Sequence, residues 1–218
     1  MIKDYDRSRY FGASEGKNIF DPNENTKSYR DWWAMKCGRA DNPFHGNTYT
    51  RAGNLWEHSI LRAFDPRVDF DRQIIHEDLR LRVNYDGDII EEDGATIVEC
   101  KTHRSDKVFE VTENYWYQAQ LQMFAWNRVK YEPKLVDCKG KPEWKSPLPP
   151  LKRHIIISYA LYPDEYFVEY PEDMVWQGKL PVDPKRITVH EVKISHRFQR
   201  KITRRLKKLA KKLIEEEV

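Results

Sequence analysis

The segment Ala95-Thr96-Ile97-Val98-Glu99-Cys100-Lys101 constrains the fold more than any other part of the sequence. Its first four residues suit the interior of a protein, and a β-strand here would place Ile97, Glu99 and Lys101 on one face. A carboxylate and an ammonium group at the end of an interior strand both need partners, because burying an unpaired charge is costly. We therefore expect other polar groups to converge on the end of this strand.

The composition fits a folded protein with a real core. Of the 218 residues, 13% are aromatic and 33% are charged, so much of the apolar content lies in large rings. No apolar run approaches the roughly 20 residues of a membrane helix, and the N-terminus lacks the apolar core of a signal peptide. Three scattered cysteines without a CxxC pair argue against a disulfide scaffold, a zinc ribbon or a four-cysteine iron–sulfur cluster. We expect a soluble, cytoplasmic protein with no membrane partner.

Periodicity and turn signals predict strands interleaved with helices around one short central sheet, which is an α/β or α+β fold. Helices are predicted at 28–36, 53–64 and 112–130, strands at 68–75, 79–85, 95–101, 154–161 and 166–170, and a proline-rich loop at 139–150. We expect a single domain, 1–218, with an N-terminal part (1–52), a central part (53–130) and a closing part (151–218) of strands and a basic helix.

The end of the chain predicts an amphipathic helix. Apolar residues recur there at steps of three or four: Ile194, Phe198, Ile202, Leu206, Leu209 and Leu213. The stretch 193–212 also contains ten Lys or Arg and no Asp or Glu, although the formal charge of the whole chain is only +3. The apolar stripe should dock on the core, while the basic outer face is either solvated or lies beside a polyanion such as DNA.

Asp86-Gly87 precedes Glu99 by thirteen residues and follows a predicted strand. Asp86 is therefore well placed to converge on Glu99, and two carboxylates suit a hard divalent ion such as Mg²⁺ or Mn²⁺ better than zinc. Lys101 beside such an ion would position or deprotonate an attacking water and offset developing negative charge. The pattern is short, and a buried Glu–Lys ion pair beside an unrelated turn is the alternative.

A further acidic residue, Glu57, shares one face of the 53–64 helix with Ile60, Leu61 and Phe64. A carboxylate on an apolar stripe needs a partner, which a metal, a lysine or a stray arginine would supply. Together with the carboxylates above, Glu57 is best explained as a third ligand or a support for one.

Three glutamines, Gln118, Gln120 and Gln122, lie in the aromatic 112–130 helix. Each side chain brings two donors and an acceptor and should be hydrogen-bonded. The functional interpretation is a glutamine that holds Lys101, the attacking water or a phosphate, and the alternative is a set of surface glutamines beside a Tyr/Trp core.

Taken in order, these segments resemble the PD-(D/E)XK nucleases, in particular the phage lambda exonuclease / YqaJ-type recombinase branch. The similar segments are Arg7…Gly12-Ala13-Ser14-Glu15 (R-x(6)-S), Gly53-Asn54-Leu55-Trp56-Glu57 (G-x-x-x-E), Tyr85-Asp86-Gly87 (P-D-G, with Tyr for Pro), Ile97-Val98-Glu99-Cys100-Lys101 (E-x-K) and Gln118-Ala119-Gln120 (Q-x-Q). The resemblance covers roughly residues 7–130, and the segment between Lys101 and the glutamines is short for the family.

The resemblance implies a restriction-endonuclease-like core and a metal-dependent exonuclease that digests one strand of duplex DNA from a 5′ end. It also implies a ring-shaped trimer, a single-strand annealing protein as partner, and the host cytoplasm as location if the protein is phage-encoded.

The roles expected of individual residues follow from this resemblance and the chemistry above. Asp86, Glu99 and the carbonyl of Cys100 would hold one Mg²⁺, for which Mn²⁺ would substitute, and Glu57 would help with a second ion. Lys101, assisted by Gln120, would orient and activate water. Arg7, Ser14 and Gln118 would bind the terminal 5′-phosphate or the DNA.

Two other interpretations stay open. A RecB-like or Cas4-like nuclease shares the D…ExK pattern but usually carries Q-x-x-x-Y, which is absent here. The other is a non-catalytic DNA-binding module on the same fold. Loss of a metal carboxylate or of the lysine would favour it, yet Asp86, Glu99 and Lys101 are all present.

Overall fold

The computed structural model describes residues 8–21, 23–41, 46–129, 134–136 and 148–216. Within these residues seven strands form one mixed sheet with helices on both faces, which confirms the predicted fold class. The strands are β1 (Phe11–Gly12), β2 (Asp69–His76), β3 (Leu81–Glu91), β4 (Gly94–Arg104), β5 (Lys134–Val136), β6 (Leu151–Leu161) and β7 (Ile187–Val192). The helices are α1 (Gly16–Phe20), α2 (Lys27–Lys36), α3 (Thr48–Phe64), α4 (Glu113–Arg128), α5 (Glu172–Trp176) and α6 (His196–Glu216). No helix in the described ranges is long and apolar enough to cross a membrane.

The strand order is β5-β2-β3-β4-β6-β7. The β4–β6 pair is parallel and its neighbours in this order are antiparallel. On one edge, β3 pairs with β4 from Gly87 to Glu91 and with β1 at Leu81 and Arg82. The pairing between β3 and β4 therefore ends at Gly87. Asp86 lies at the resulting split between the two strands, where there is a gap in the sheet.

Each face of the sheet carries its own apolar cluster. Rings from α2, such as Trp32 and Trp33, pack with apolar residues of α4 and α6 on one face. On the other face, Trp56 and Ile60 of α3 pack against Val98 of β4 and its neighbours. The two faces therefore hold α4 and α3 on opposite sides of the same strand ends.

Side-chain caps mark the starts of two helices: α4 starts as predicted, whereas α3 starts before its predicted position. Thr112 caps α4 by accepting the Tyr115 N–H at 3.3 Å, and Asn47 caps α3 by accepting the Thr50 N–H at 2.9 Å, so that helix begins five residues earlier than position 53. The apolar stripe of α6 is buried as predicted, from Phe198 to Leu213.

One predicted strand is wrong, and the strands β1, β5 and β7 were not predicted. Residues 166–170 form no strand, because Pro163 and the following acidic residues form a single 3₁₀ turn that ends at Tyr166. The antiparallel partner of β6 is β7. This strand is half-exposed and only its residue Val192 is buried, so its sequence pattern was weak. Most of the predicted 139–150 loop lies outside the described residues.

A buried ion pair fixes the N-terminal segment. Lys36 of α2 lies 2.7 Å from the Glu15 carboxylate, with side chains 1% and 9% exposed. Lys36 also donates to the Tyr10 carbonyl at 2.7 Å, and Glu15 accepts the Gly12 N–H at 2.8 Å. This pair joins α2 to the segment that leads into α1.

Replacing Lys36 with Met should destabilise the protein, because Glu15 would stay buried without its counter-charge. We expect the free energy of unfolding to fall by about 3 kcal/mol or more in urea denaturation. The matched control is Lys27→Met on the same helix, where the Lys27–Asp31 pair is 84% and 62% exposed and should contribute less than about 0.5 kcal/mol. Equal losses in the two variants would contradict a structural role for the buried pair.

Candidate metal centre

The split between β3 and β4 brings Asp86 and Glu99 to the same end of the sheet. The ladder between these strands stops at Gly87 and Val98. The Cys100 N–H just beyond it donates to the Asp86 Oδ2 at 2.8 Å. Asp86 therefore takes the place of a strand partner for the Cys100 N–H.

The Glu99 carboxylate is buried and accepts three side-chain hydrogen bonds. Lys101 pairs with Oε1, which also accepts from the Gln118 Nε2 at 2.5 Å, and Oε2 accepts from the Gln122 Nε2 at 2.6 Å. An ionised carboxylate offers about four lone-pair positions, so these three donors leave one for a metal ion. The two glutamines fix where that position points.

Three hydrogen bonds in turn fix the orientation of the Gln122 amide. Its Nε2 donates to the Asn84 carbonyl at 3.1 Å as well as to Glu99, and its Oε1 lies 2.6 Å from the His154 Nε2. Burial lowers the pKa of His154 to about 4, so the neutral ring carries its proton on Nε2 and donates it to the amide oxygen. If the Gln122 amide were flipped, its oxygen would face the Glu99 carboxylate and the Asn84 carbonyl, which are both acceptors. The hydrogen-bond network therefore excludes the flipped orientation.

The carboxylates repel one another in this buried site. The pKa of Asp86 is raised well above its usual value by burial and by the charges of Glu57 and Glu99. The pKa of Glu57 is raised to about 7 by burial and by Asp71, although His58 and Lys101 partly offset this. Negative charge at this site therefore exceeds what the neighbouring cations neutralise.

Lys101 and Glu99 form a charged pair within this cluster. Burial alone would raise the pKa of Glu99. The positive charge of Lys101, together with hydrogen bonds from Gln122 and Lys101, instead holds this pKa below its usual value. Burial would lower the pKa of Lys101, yet Glu99 and Asp86 raise it. Lys101 is consequently an ammonium group, which donates hydrogen bonds and carries positive charge.

A second group of ligand atoms adjoins the first through Glu57. Possible ligand atoms of Glu57, His58 and Asp71 all lie within 4.8 Å of one another. The His58 Nε2 is 2.9 Å from Asp71 Oδ2, while its Nδ1 lies 3.2 Å from the Trp176 carbonyl. Asp71 has a positive φ of 59°, an uncommon backbone conformation outside glycine.

The donor set fits a hard divalent cation. It consists of carboxylate oxygens at a strand split, together with one histidine, and it excludes thiolates, because burial raises the pKa of the Cys100 thiol well above its usual value. The raised pKa values of Asp86 and Glu57 show that a bound cation would relieve the repulsion. Mg²⁺ and Mn²⁺ prefer such oxygen ligands.

The structure brings together most of the predicted site residues. Asp86, Glu99 and Lys101 are linked by hydrogen bonds or charge, and Glu57 affects the pKa of Asp86. Ser14 lies exposed in the turn before α1. Arg7 lies outside the described residues.

The glutamines differ from expectation. Gln120 was expected to assist Lys101, but its amide donates to the Lys193 carbonyl at 2.8 Å and accepts the Ser195 N–H at 2.9 Å. It therefore holds the start of α6 and does not reach the carboxylates. Gln118 was expected to contact DNA, but it is buried and its amide is committed to Glu99.

Four residues around the centre were missed or assigned no role: Gln122, His154, His58 and Asp71. A signal existed for His154, because it opens the apolar run Ile155-Ile156-Ile157 and a buried histidine needs a partner. Gln122 follows Gln118 by four residues, which places both on one helix face. No comparable signal marks Asp71, since its position depends on local backbone geometry.

Replacing Gln122 with Leu should weaken binding of a divalent ion, because Glu99 would lose a donor that orients it. Outer hydrogen-bond partners of metal ligands typically change affinity by about 10- to 100-fold, and isothermal titration with Mn²⁺ would measure the loss. The control is Gln120→Leu on the same helix, which should bind Mn²⁺ as wild type does. Unchanged affinity in folded Gln122→Leu protein would show that Gln122 does not orient Glu99.

Comparison with solved structures shows the fold that carries this centre. An alkaline exonuclease (LHK-Exo) from Laribacter hongkongensis is 15% identical, with a TM-score of 0.57 over 97% of this chain and 91% of that chain. A phage-related exonuclease from Haemophilus somnus 129PT is 18% identical, with a TM-score of 0.60 over 96% of both chains. These likenesses confirm the restriction-endonuclease-like fold. A search among curated proteins found no match.

The YqaJ-like viral recombinase domain matches residues 5–126, which is more than half of the chain. The matched region contains Glu57, Asp86, Glu99, Lys101 and the glutamines of α4. The match supports a nuclease that acts on DNA. From this match and the fold it accompanies, the chain belongs to the YqaJ-like viral recombinase family.

Proposed function

We propose that this chain is a Mg²⁺-dependent exonuclease that digests one strand of linear double-stranded DNA from a 5′ end. The product would be a 3′ single-stranded tail for phage-type recombination. The observation that carries the proposal is the convergence of Asp86, Glu99 and Lys101 at the β3–β4 split, with Glu57 beside them. The two exonuclease neighbours and the viral recombinase family support the same class of activity.

Asp86, Glu99 and the Cys100 carbonyl would hold one Mg²⁺, and Glu57 would help to hold a second. When bound, the ion would supply Lewis-acid stabilisation of the phosphate and a more acidic water. Lys101 stays protonated beside Glu99, so its contribution is to orient the water and to stabilise negative charge on the phosphoryl group. Gln118 and Gln122 keep Glu99 in the orientation that these steps need.

The partners proposed for this activity are duplex DNA ends, two further copies of the chain in a ring-shaped trimer, and a single-strand annealing protein. The cytoplasm, or the host cytoplasm for a phage protein, is the proposed location. The exposed outer face of α6, including Lys207, Lys208 and Lys211, supports contact with the DNA backbone. Arg205 and Lys212 contribute less, because both are partly buried and hydrogen-bond to Glu24 at 3.0 and 3.2 Å. Lys208 and Lys211 are mostly exposed, and their ion pairs with Glu24 and Glu215 are longer, at 3.9 and 3.7 Å.

Replacing Lys101 with Ala should lower cleavage by at least about 1000-fold, because the variant loses a group that acts in the transition state. Asp86→Asn and Glu99→Gln should fall similarly, and all three should still bind duplex DNA. The assay digests linear duplexes labelled at the 5′ or the 3′ end, with Mg²⁺ and with EDTA. Wild-type-like cleavage by Lys101→Ala would exclude this centre, and first release of the 3′ label would exclude the proposed polarity.

We further propose that Arg7 and Ser14 bind the terminal 5′-phosphate. Ser14 is exposed just after Gly12, and its hydroxyl is a donor for a phosphate oxygen. The Gly12 N–H is already committed to Glu15, so the proposal depends on the Ser14 hydroxyl and on the forked cation of Arg7.

Wild type should therefore degrade 5′-phosphorylated ends faster than 5′-hydroxyl ends, and Arg7→Ala should remove most of that difference. Initial rates on the two substrates measure the ratio for each variant. Arg30→Ala, an exposed arginine on α2, is the matched control and should keep the wild-type ratio. Equal slowing of both substrates by Arg7→Ala, or no preference in wild type, would contradict the phosphate pocket.

A further inference from the structure

A pocket of about 360 Å³ lies between the start of α3 and the end of β4. Arg104 on its wall follows Lys101 by three residues along β4, which corresponds to about 10 Å. Tyr49, whose side chain hydrogen-bonds with that of Arg104, precedes Glu57 by eight residues along α3, which corresponds to about 12 Å. Both residues thus lie on the elements that carry the metal centre, and a DNA strand in that centre reaches the pocket within a few nucleotides.

Aromatic rings dominate one side of the pocket. Tyr49 and Tyr166 pack edge to face with ring centroids 5.1 Å apart, and Phe167 lines the same pocket. The side chain of Phe167 is 78% exposed and that of Tyr49 is 55% exposed. Rings exposed at a pocket mouth stack on nucleobases, and such stacking tolerates any base because every base has a flat face.

The other side of the pocket is polar. Arg104 donates to the Asp106 carboxylate through Nε at 2.8 Å and Nη2 at 2.6 Å, which holds its guanidinium plane in place. The Ser105 N–H donates to the Leu161 carbonyl at 2.9 Å and anchors this turn to β6. A fixed guanidinium plane stacks on bases, and the Asp106 and Ser105 side chains suit the edge of an unpaired base.

Hydrogen bonds to Glu165 anchor the turn that carries Tyr166 and Phe167. Arg186 donates to both oxygens of Glu165, at 2.8 and 2.7 Å, and Glu165 in turn accepts the Tyr162 N–H at 2.7 Å. The Trp56 indole donates to the Glu165 carbonyl at 3.2 Å and ties the turn to α3. Because the backbone of this turn is already ordered, ligand binding has to order only the side chains of its rings.

We propose that this pocket binds an unpaired base of the DNA strand that enters or leaves the metal centre. Its volume is large enough for one nucleotide, and its aromatic and arginine surfaces match the faces of a base. The proposal rests on the proposed nuclease function, of which it names the single-stranded subsite.

The test measures binding of a short single-stranded oligonucleotide that contains 2-aminopurine, in EDTA so that no cleavage occurs. Phe167→Ala and Tyr49→Ala should each weaken binding by about 5- to 100-fold and reduce the quenching of 2-aminopurine, whereas Phe167→Trp should restore both. Binding of a blunt duplex should change much less. Val189→Ala removes an exposed apolar side chain on β7 and should change neither.

Unchanged oligonucleotide affinity in Phe167→Ala and Tyr49→Ala would overturn the proposal, as would an equal loss for the blunt duplex. A change of mass in light scattering with unchanged oligonucleotide affinity would overturn it in favour of a contact between subunits. Cleavage of linear duplex by wild type with Mg²⁺ is measured separately. Failure of that cleavage would contradict the proposed function, while the binding result in EDTA decides the pocket.

Discussion

The structure depends on keeping several carboxylates together in a partly buried space. Asp86, Glu99, Glu57 and Asp71 influence one another's charge, and such repulsion opposes folding unless each group has a partner. The fold supplies these partners from different elements: a backbone N–H of β4 for Asp86, Lys101 with two helical amides for Glu99, and His58 for Asp71. The remaining excess of negative charge is what suits this candidate site to a cation.

This requirement explains why α4 packs where it does. Gln118 and Gln122 are one helical turn apart, so both reach Glu99 only if that face of the helix lies over β4. Gln120, on another face, bonds to the segment that begins α6 and receives a hydrogen bond from Gln199 at its carbonyl, at 3.0 Å. One helix thus supports the metal centre with two amides and anchors the C-terminal helix with a third.

The sequence predicted the parts of the site that follow from strand and helix periodicity. Glu99 and Lys101 share a face because strands alternate, and Glu57 faces the core because its helix is amphipathic. Asp71 could not be found in this way, because its side-chain direction depends on a left-handed backbone conformation within β2. The strand β7 was not predicted for a different reason, since a half-exposed edge strand has little apolar alternation. The assignment of a role to Gln120 failed because motif order was followed where helical periodicity would have selected Gln122. The single-domain division of the chain stays a prediction.

The tyrosine that replaces proline before Asp86 has a structural reason in this chain. Tyr85 is fully buried, and its hydroxyl donates to the Gln122 carbonyl at 2.9 Å. Gln122 in turn donates through its side chain to the carbonyl of Asn84, the residue before Tyr85. Two hydrogen bonds therefore join α4 to β3 immediately before Asp86, and a third joins the same amide to Glu99 on β4. A proline at position 85 would stiffen the strand through its fixed φ but could not make the hydroxyl contact. In this chain Gln122 of α4 sets the separation of β3 and β4, the two strands that carry Asp86 and Glu99. Tyr85 secures the backbone of Gln122.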